Sequence, residues 1–168
     1  MFTYMLNYKQ KCMKNQLKWV GLGLLAVLVI LQFFQTDKTN KETDPNMELL
    51  SLVPASAEVA DLLERACQDC HSNKTKYPWY SYIAPISFLV QHHIDDGKKH
   101  FNMSAFGTYP AKKAAHKLEE GFEVIESGEM PMDSYTWMHP EAKLTDTEKK
   151  VLINWFKASY AAAEAKIE

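Results

Sequence analysis

The stretch PASAEVADLLERACQDCH, Pro54 to His71, decides how the chain is read. Ser56 is an N-cap candidate, and Glu58 places an acid in the first turn, where the helix dipole favours it. Val59, Leu62, Leu63 and Ala66 recur at helical spacing, and Cys70 extends that stripe. The spacing predicts a helix closed by two cysteines and a histidine. Three later segments carry the same period. APISFLVQHHIDDG opens with Pro85 and is expected to stop at Gly97. PAKKAAHKLEEGFEVIESG runs from Pro110 to Gly128, with Ala114, Leu118, Phe122 and Ile125 on one face. LTDTEKKVLINWFKASYAAAEAK opens with Thr145 and Glu148 in capping-box spacing. Its apolar face is Val151, Leu152, Trp155, Phe156 and Tyr160, and Trp155 and Phe156 are expected to pack it against the first helix. No segment alternates with period two and β-branched content. The fold class is therefore all-α, about four helices with long loops at 72–84, 98–109 and 129–144.

Upstream, WVGLGLLAVLVILQFF, Trp19 to Phe34, is apolar all round, and no charge lies between Lys18 and Asp37. At about 1.5 Å per residue this uncharged stretch spans roughly 27 Å, near the thickness of a bilayer core. Lys9, Lys11, Lys14 and Lys18 precede it, and a polar stretch follows. The positive-inside rule puts the N-terminus in the cytoplasm and the remainder outside. A cleaved signal peptide is the alternative, but no A-x-A-like site follows Phe34. The expected organisation is a basic stub at 1–18, a transmembrane anchor at 19–36, a linker at 37–48 and a domain at 49–165. Its expected place is the cytoplasmic membrane, single-pass, with the domain on the periplasmic or extracytoplasmic side.

The formal net charge of −2 hides an asymmetry. Without the four lysines of the stub, 15 basic residues face 21 acidic ones. Such a body lacks the clustered basic face of a nucleic-acid binder. Of the three cysteines, Cys12 precedes the anchor and is expected to be cytoplasmic and reduced, whereas Cys67 and Cys70 lie beyond it.

C-x-x-C-H, here Cys67, Cys70 and His71, is the spacing of c-type haem attachment. Two thiols one helical turn apart can each add to one vinyl group of the same porphyrin, and the next imidazole can bind the iron. A redox dithiol has the same C-x-x-C but belongs in a βαβ context, and a zinc site needs two further ligands. If the group is haem c, one per chain, its sixth ligand is open. Met130 in SGEMPMDSY is the first candidate, because Pro131 fixes the local backbone and a thioether raises the reduction potential. Met132 and Met138 compete with it. His139 in WMHPEAKLT is the reserve, and His92 or His93 could face inward, whereas His100 and His116 look solvent-facing. Arg65 is expected to pair with Glu58, Asp69 or a propionate. The aromatic run from Tyr77 to Tyr82 is expected to fold beside the porphyrin or into the core.

Helix-ended C-x-x-C-H, a late G-x-M-P and the capped LTDTEKKVLINWF together resemble class I cytochrome c. More specifically, CQDCHSNKTKYPWYSYIAPIS, GEMPMDSYTWMHPEAKLTDTEK and the N-terminal anchor resemble the bacterial haem-binding domain family with a CxxCH motif. The resemblance covers residues 50 to 160. It implies covalent haem c held by Cys67 and Cys70, His71 as proximal iron ligand, and Met130 at the position of the class I methionine. The stretch from Tyr77 to Ile94 is longer than in small cytochromes c.

Three functions compete. The first is a membrane-anchored electron carrier without catalysis, serving redox partner proteins at the membrane. The second is a peroxidase-type haem enzyme, which needs an open iron position and distal acid–base groups. The third is a haem-based ligand sensor, for which no signalling domain is present. Electron transfer is the expectation.

Overall fold

A computed structural model describes the backbone from Phe2 to Ile167 and the side chains from Met13 to Ile167. Those of Lys9, Lys11 and Cys12 lie outside the described residues. Among the described residues the fold is all-α. In chain order the α-helices are α1 (Phe2–Leu31), α2 (Leu49–Leu52), α3 (Ala57–Ala66), α4 (Gln68–His71), α5 (Ile86–His100), α6 (Ala111–Glu126), α7 (Asp133–Met138) and α8 (Asp146–Glu164). Short 3₁₀ turns at Trp79–Tyr82, Met103–Thr108 and Pro140–Ala142 occupy much of what the sequence suggested as loop.

Two compact units emerge, Met1–Asp37 with Pro78–Gln91, and Lys38–Tyr77 with His92–Glu168. In the first, Met13–Leu31 of α1 is long and apolar enough to cross a membrane. Its side chains from Met13 to Ile30 are exposed all round. Just past its end, the Gln32 carboxamide pairs with one peptide unit. Gln32 Nε2 donates to the Ala84 carbonyl at 2.9 Å, and the Ala84 N–H donates to Gln32 Oε1 at 3.0 Å.

In the second unit the core is built from Leu62 and Leu63 of α3, Leu118 and Ile125 of α6, and Leu152 and Phe156 of α8. The caps explain why the helices start where they do. Ser56 Oγ accepts from the Val59 N–H, and Thr145 and Glu148 form the full capping box. α8 lies mainly along α6. Gly121 makes this possible, because a Cβ there would sit 2.6 Å from the Phe156 ring. Trp155 does reach toward α3, donating from Nε1 to the Pro54 carbonyl at 2.9 Å. The last helix therefore meets two partners rather than the first helix alone.

Two expectations about helix ends need correction. The cysteine motif does not simply close one helix. The chain breaks at Cys67 (φ −128°, ψ −34°) and resumes as the single turn α4. Gly97 does not stop α5, which continues to His100. Its missing Cβ serves packing, since a Cβ at Gly97 would stand 2.6 Å from the Cys70 carbonyl oxygen.

Candidate functional site

Within the second unit a cavity of about 440 Å³ opens beside α4. This volume is in the range of small-molecule and cofactor sites. Cys67, Cys70 and His71 line one part of it, and Met130 lines it too. The apolar share of the lining includes Leu63 and Ala66 of α3, Val124 and Ile125 of α6, and Phe156 of α8. Asp96, His100, Glu123 and Glu129, all exposed, also line it.

Each functional side chain has a local reason for its place. His71 Nδ1 lies 3.0 Å from the Phe101 carbonyl. A carbonyl only accepts, so Nδ1 carries the proton and donates, leaving Nε2 bare as a ligand atom. Burial holds His71 below its ordinary value, so the imidazole is neutral, the form that binds metal. Met130 is placed by the end of α6. Ser127 and Gly128 donate to the carbonyls of Glu123 and Ile125, Gly128 turns the chain at φ +80°, and the Met130 N–H donates to the Val124 carbonyl at 3.0 Å. The loop thus folds back along its own helix.

Asp69, one of the two variable residues of the motif, organises its surroundings. Its carboxylate accepts from the Tyr135 hydroxyl at 2.8 Å and from the Lys76 N–H at 2.9 Å, and its carbonyl accepts from Thr75 Oγ1 at 2.7 Å. Burial first, and the Asp69 charge second, hold the Tyr135 phenol well above its ordinary value, so it remains a donor. Behind the motif, Ser72 Oγ donates to the Gln68 carbonyl and accepts from the Lys74 N–H, while the Asn73 N–H donates to Ser104 Oγ.

Burial pushes Cys67 up to about 12 and Cys70 up to about 11, so both are held as neutral thiols. Cys67 and Cys70 form no disulfide, and among the described residues no group of three His, Cys, Asp or Glu is placed to hold a metal ion. An apolar cavity with two thiols, a neutral imidazole with Nε2 bare and a thioether on its walls fits an iron porphyrin.

Other expected positions fall elsewhere. His139 is not among the cavity residues. Its ring stacks on Tyr135 at 4.5 Å, and Nδ1 lies 3.1 Å from Glu141 Oε1. His93 and the exposed His100 line the cavity, whereas the exposed His92 does not. Met132 lines it beside Met130, and Met138 does not. Arg65 pairs with Asp61 at 3.4 Å and with Glu148, and also donates to the Glu141 carbonyl, so neither Glu58 nor Asp69 is its partner. Of the aromatic run, only Tyr77 belongs to the second unit, and it is not among the cavity residues. Pro78–Gln91 groups instead with α1, where Gln32 takes both polar groups of the Ala84 backbone. Asp69, Tyr135, Gly97 and the Phe101 carbonyl were missed as contributors. Only Gly97 left a signal, as a glycine within a helical run.

The chain belongs to the haem-binding domain family, which matches residues 26–158. It is similar to the cytochrome c peroxidase Ccp of Escherichia coli (strain K12), at 24% identity over 164 residues, 90% of this chain and 34% of that protein. The chain thus spans about a third of the length of this curated relative. No solved structure matches it. Haem binding is the activity that the family supports.

Proposed function

We propose that this chain is a membrane-anchored c-type cytochrome that transfers electrons outside the cytoplasmic membrane. One observation carries the reading: Met130, sixty residues after Cys70, lines the same cavity as Cys67, Cys70 and His71. Cys67 and Cys70 would hold haem c through thioethers, and His71 Nε2 and Met130 Sδ would bind its iron. Bound haem supplies one-electron chemistry. The protein's part is to hold the ligands and keep water from them. The Phe101 carbonyl fixes the His71 tautomer and ring plane, and the fold-back of Met130 onto Val124 keeps the thioether at the cavity. Leu63, Ile125 and Phe156 exclude water. Exposed Asp96, Glu123 and Glu129 give the cavity an acidic border, which suits a basic redox partner at the membrane and makes association weaken with salt.

The test is expression with a cytochrome c maturation system, followed by absorption spectra in both oxidation states. Haem that survives denaturation and acidified-solvent extraction, with a methionine-to-ferric-iron band lost in Met130→Ala, supports the proposal. A chain carrying no covalent haem sinks it.

A second reading, a haem enzyme of peroxidase type, draws on the name of the curated relative and on half-buried His93 at the cavity wall. It requires a high-spin spectrum with rapid cyanide binding and peroxide turnover that falls in His93→Ala.

A further inference from the structure

Residues 77 to 94 contain no Asp, Glu, Lys or Arg. The part of this stretch in the first unit, Pro78–Gln91, is inverted relative to a soluble domain. Ser81, Ala84 and Ser87, three residues apart, are buried, at 1%, 2% and 1% exposure. The large apolar residues face outward, with Trp79 at 71%, Leu89 at 56% and Ile86 at 46%, joined by Tyr82, Ile83 and Phe88. A contiguous face of this kind marks contact with another apolar phase.

The unit itself indicates which phase. Gln32 is the residue immediately after α1, and its carboxamide ties Ala84 at 2.9 and 3.0 Å. The inverted segment is therefore fastened to the end of the membrane-crossing helix. Phe33 and Phe34 are exposed at the same end, at 83% and 62%. Tryptophan and tyrosine concentrate where hydrocarbon gives way to headgroups. We infer that Trp79–Leu89 is a second membrane contact, a shallow wedge whose outward rings and aliphatic chains enter the leaflet at the exit of α1. The occupant of this face is lipid. The inference rests on the reading of α1 as a membrane anchor.

The test uses the full-length protein in phosphatidylcholine vesicles containing a phospholipid with a photoactivatable diazirine near the glycerol end of one acyl chain. Cleavage after lysine releases three diagnostic peptides, Trp19–Lys38, Tyr77–Lys98 and Leu118–Lys143. The last carries Trp137, exposed at 83% in the second unit. The expected result is label in Trp19–Lys38, and in Tyr77–Lys98 at a level about tenfold above Leu118–Lys143. Label in Trp19–Lys38 alone overturns the wedge while leaving the anchor intact. If Tyr77–Lys98 is also unlabelled in a protein that light scattering finds dimeric, the face belongs to a second copy, and the lipid assignment falls. Absence of label from Trp19–Lys38 removes the anchor and the wedge together.

Discussion

The two units dispose of their large side chains in opposite ways. In the helical unit Leu62, Leu63, Leu118 and Leu152 are buried to 2% exposure or less. In the first unit Leu24, Leu25 and Leu89 are more than half exposed, while two serines are buried. Neither pattern is a defect. Burial follows from the solvent each surface meets, and a leucine turned outward costs nothing where the surroundings are as apolar as a core.

The sharpest way to break this contrast is to delete the same side chain in both units. Leu152→Ala should destabilise the helical unit by about 2–5 kcal/mol, through lost transfer energy and an unfilled cavity. Leu24→Ala should leave that stability unchanged. Urea unfolding of the full-length protein in detergent, followed by circular dichroism, reads both. An equal loss from the two variants would remove the distinction.

Glycines give the next largest difference. Added Cβ atoms at Gly97 and Gly121 would meet the Cys70 carbonyl and the Phe156 ring, whereas Gly21 and Gly23 have nothing within 4 Å. Gly97→Ala and Gly121→Ala should cost about 1–3 kcal/mol as the packed elements separate. Gly97→Ala should also lower the yield of haem-loaded protein. Gly21→Ala and Gly23→Ala should be neutral or slightly favourable by helix propensity. Thermal melts of the four variants rank them.

A smaller effect sits at the start of α8. Loss of the Thr145 cap in Thr145→Ala should cost about 1 kcal/mol. Hydrogen bonds from the Thr145 N–H and hydroxyl, with help from Arg65, hold the Glu148 carboxyl below its ordinary 4.5. The folded form thus binds a proton less readily than the unfolded one. Its stabilisation is complete above pH 4.5 and is lost as pH falls through the folded value. Melting temperature against pH should show that acid slope in the parent protein and a shallower one in Glu148→Gln. An unchanged slope would mean that other carboxylates carry it. Smallest of all, Trp137→Ser should change stability by no more than about 0.5 kcal/mol in the same melts.

Legibility in the sequence followed the range of the interactions. Ser56, the Thr145–Glu148 box and Gly128 work within a few residues of themselves, so pattern alone located the ends they set. Cys67, Cys70 and His71 are equally local. Met130 could be named because a proline follows it, although what brings it to the cavity is a hydrogen bond back to Val124. Gly97 was read as a stop because a glycine that ends a helix and one that admits a neighbour look alike in one dimension. The bond from Tyr135 to Asp69 spans 66 positions and leaves no periodic trace. The aromatic run from Trp79 hides a contact of another kind. Nothing in the local pattern discloses that a glutamine 52 residues upstream of Ala84 bonds to it.

That glutamine has a broader consequence. Irregular backbone is excluded from hydrocarbon because its amides and carbonyls lose water and gain no replacement. Gln32 Nε2 also donates to the Leu28 carbonyl at 2.8 Å, so one carboxamide serves its own helix and both polar groups of Ala84 at once. It acts as a single detached rung of sheet. With such a rung in place, the peptide unit of Ala84 has both polar groups paired without water, as a shallow contact with hydrocarbon requires.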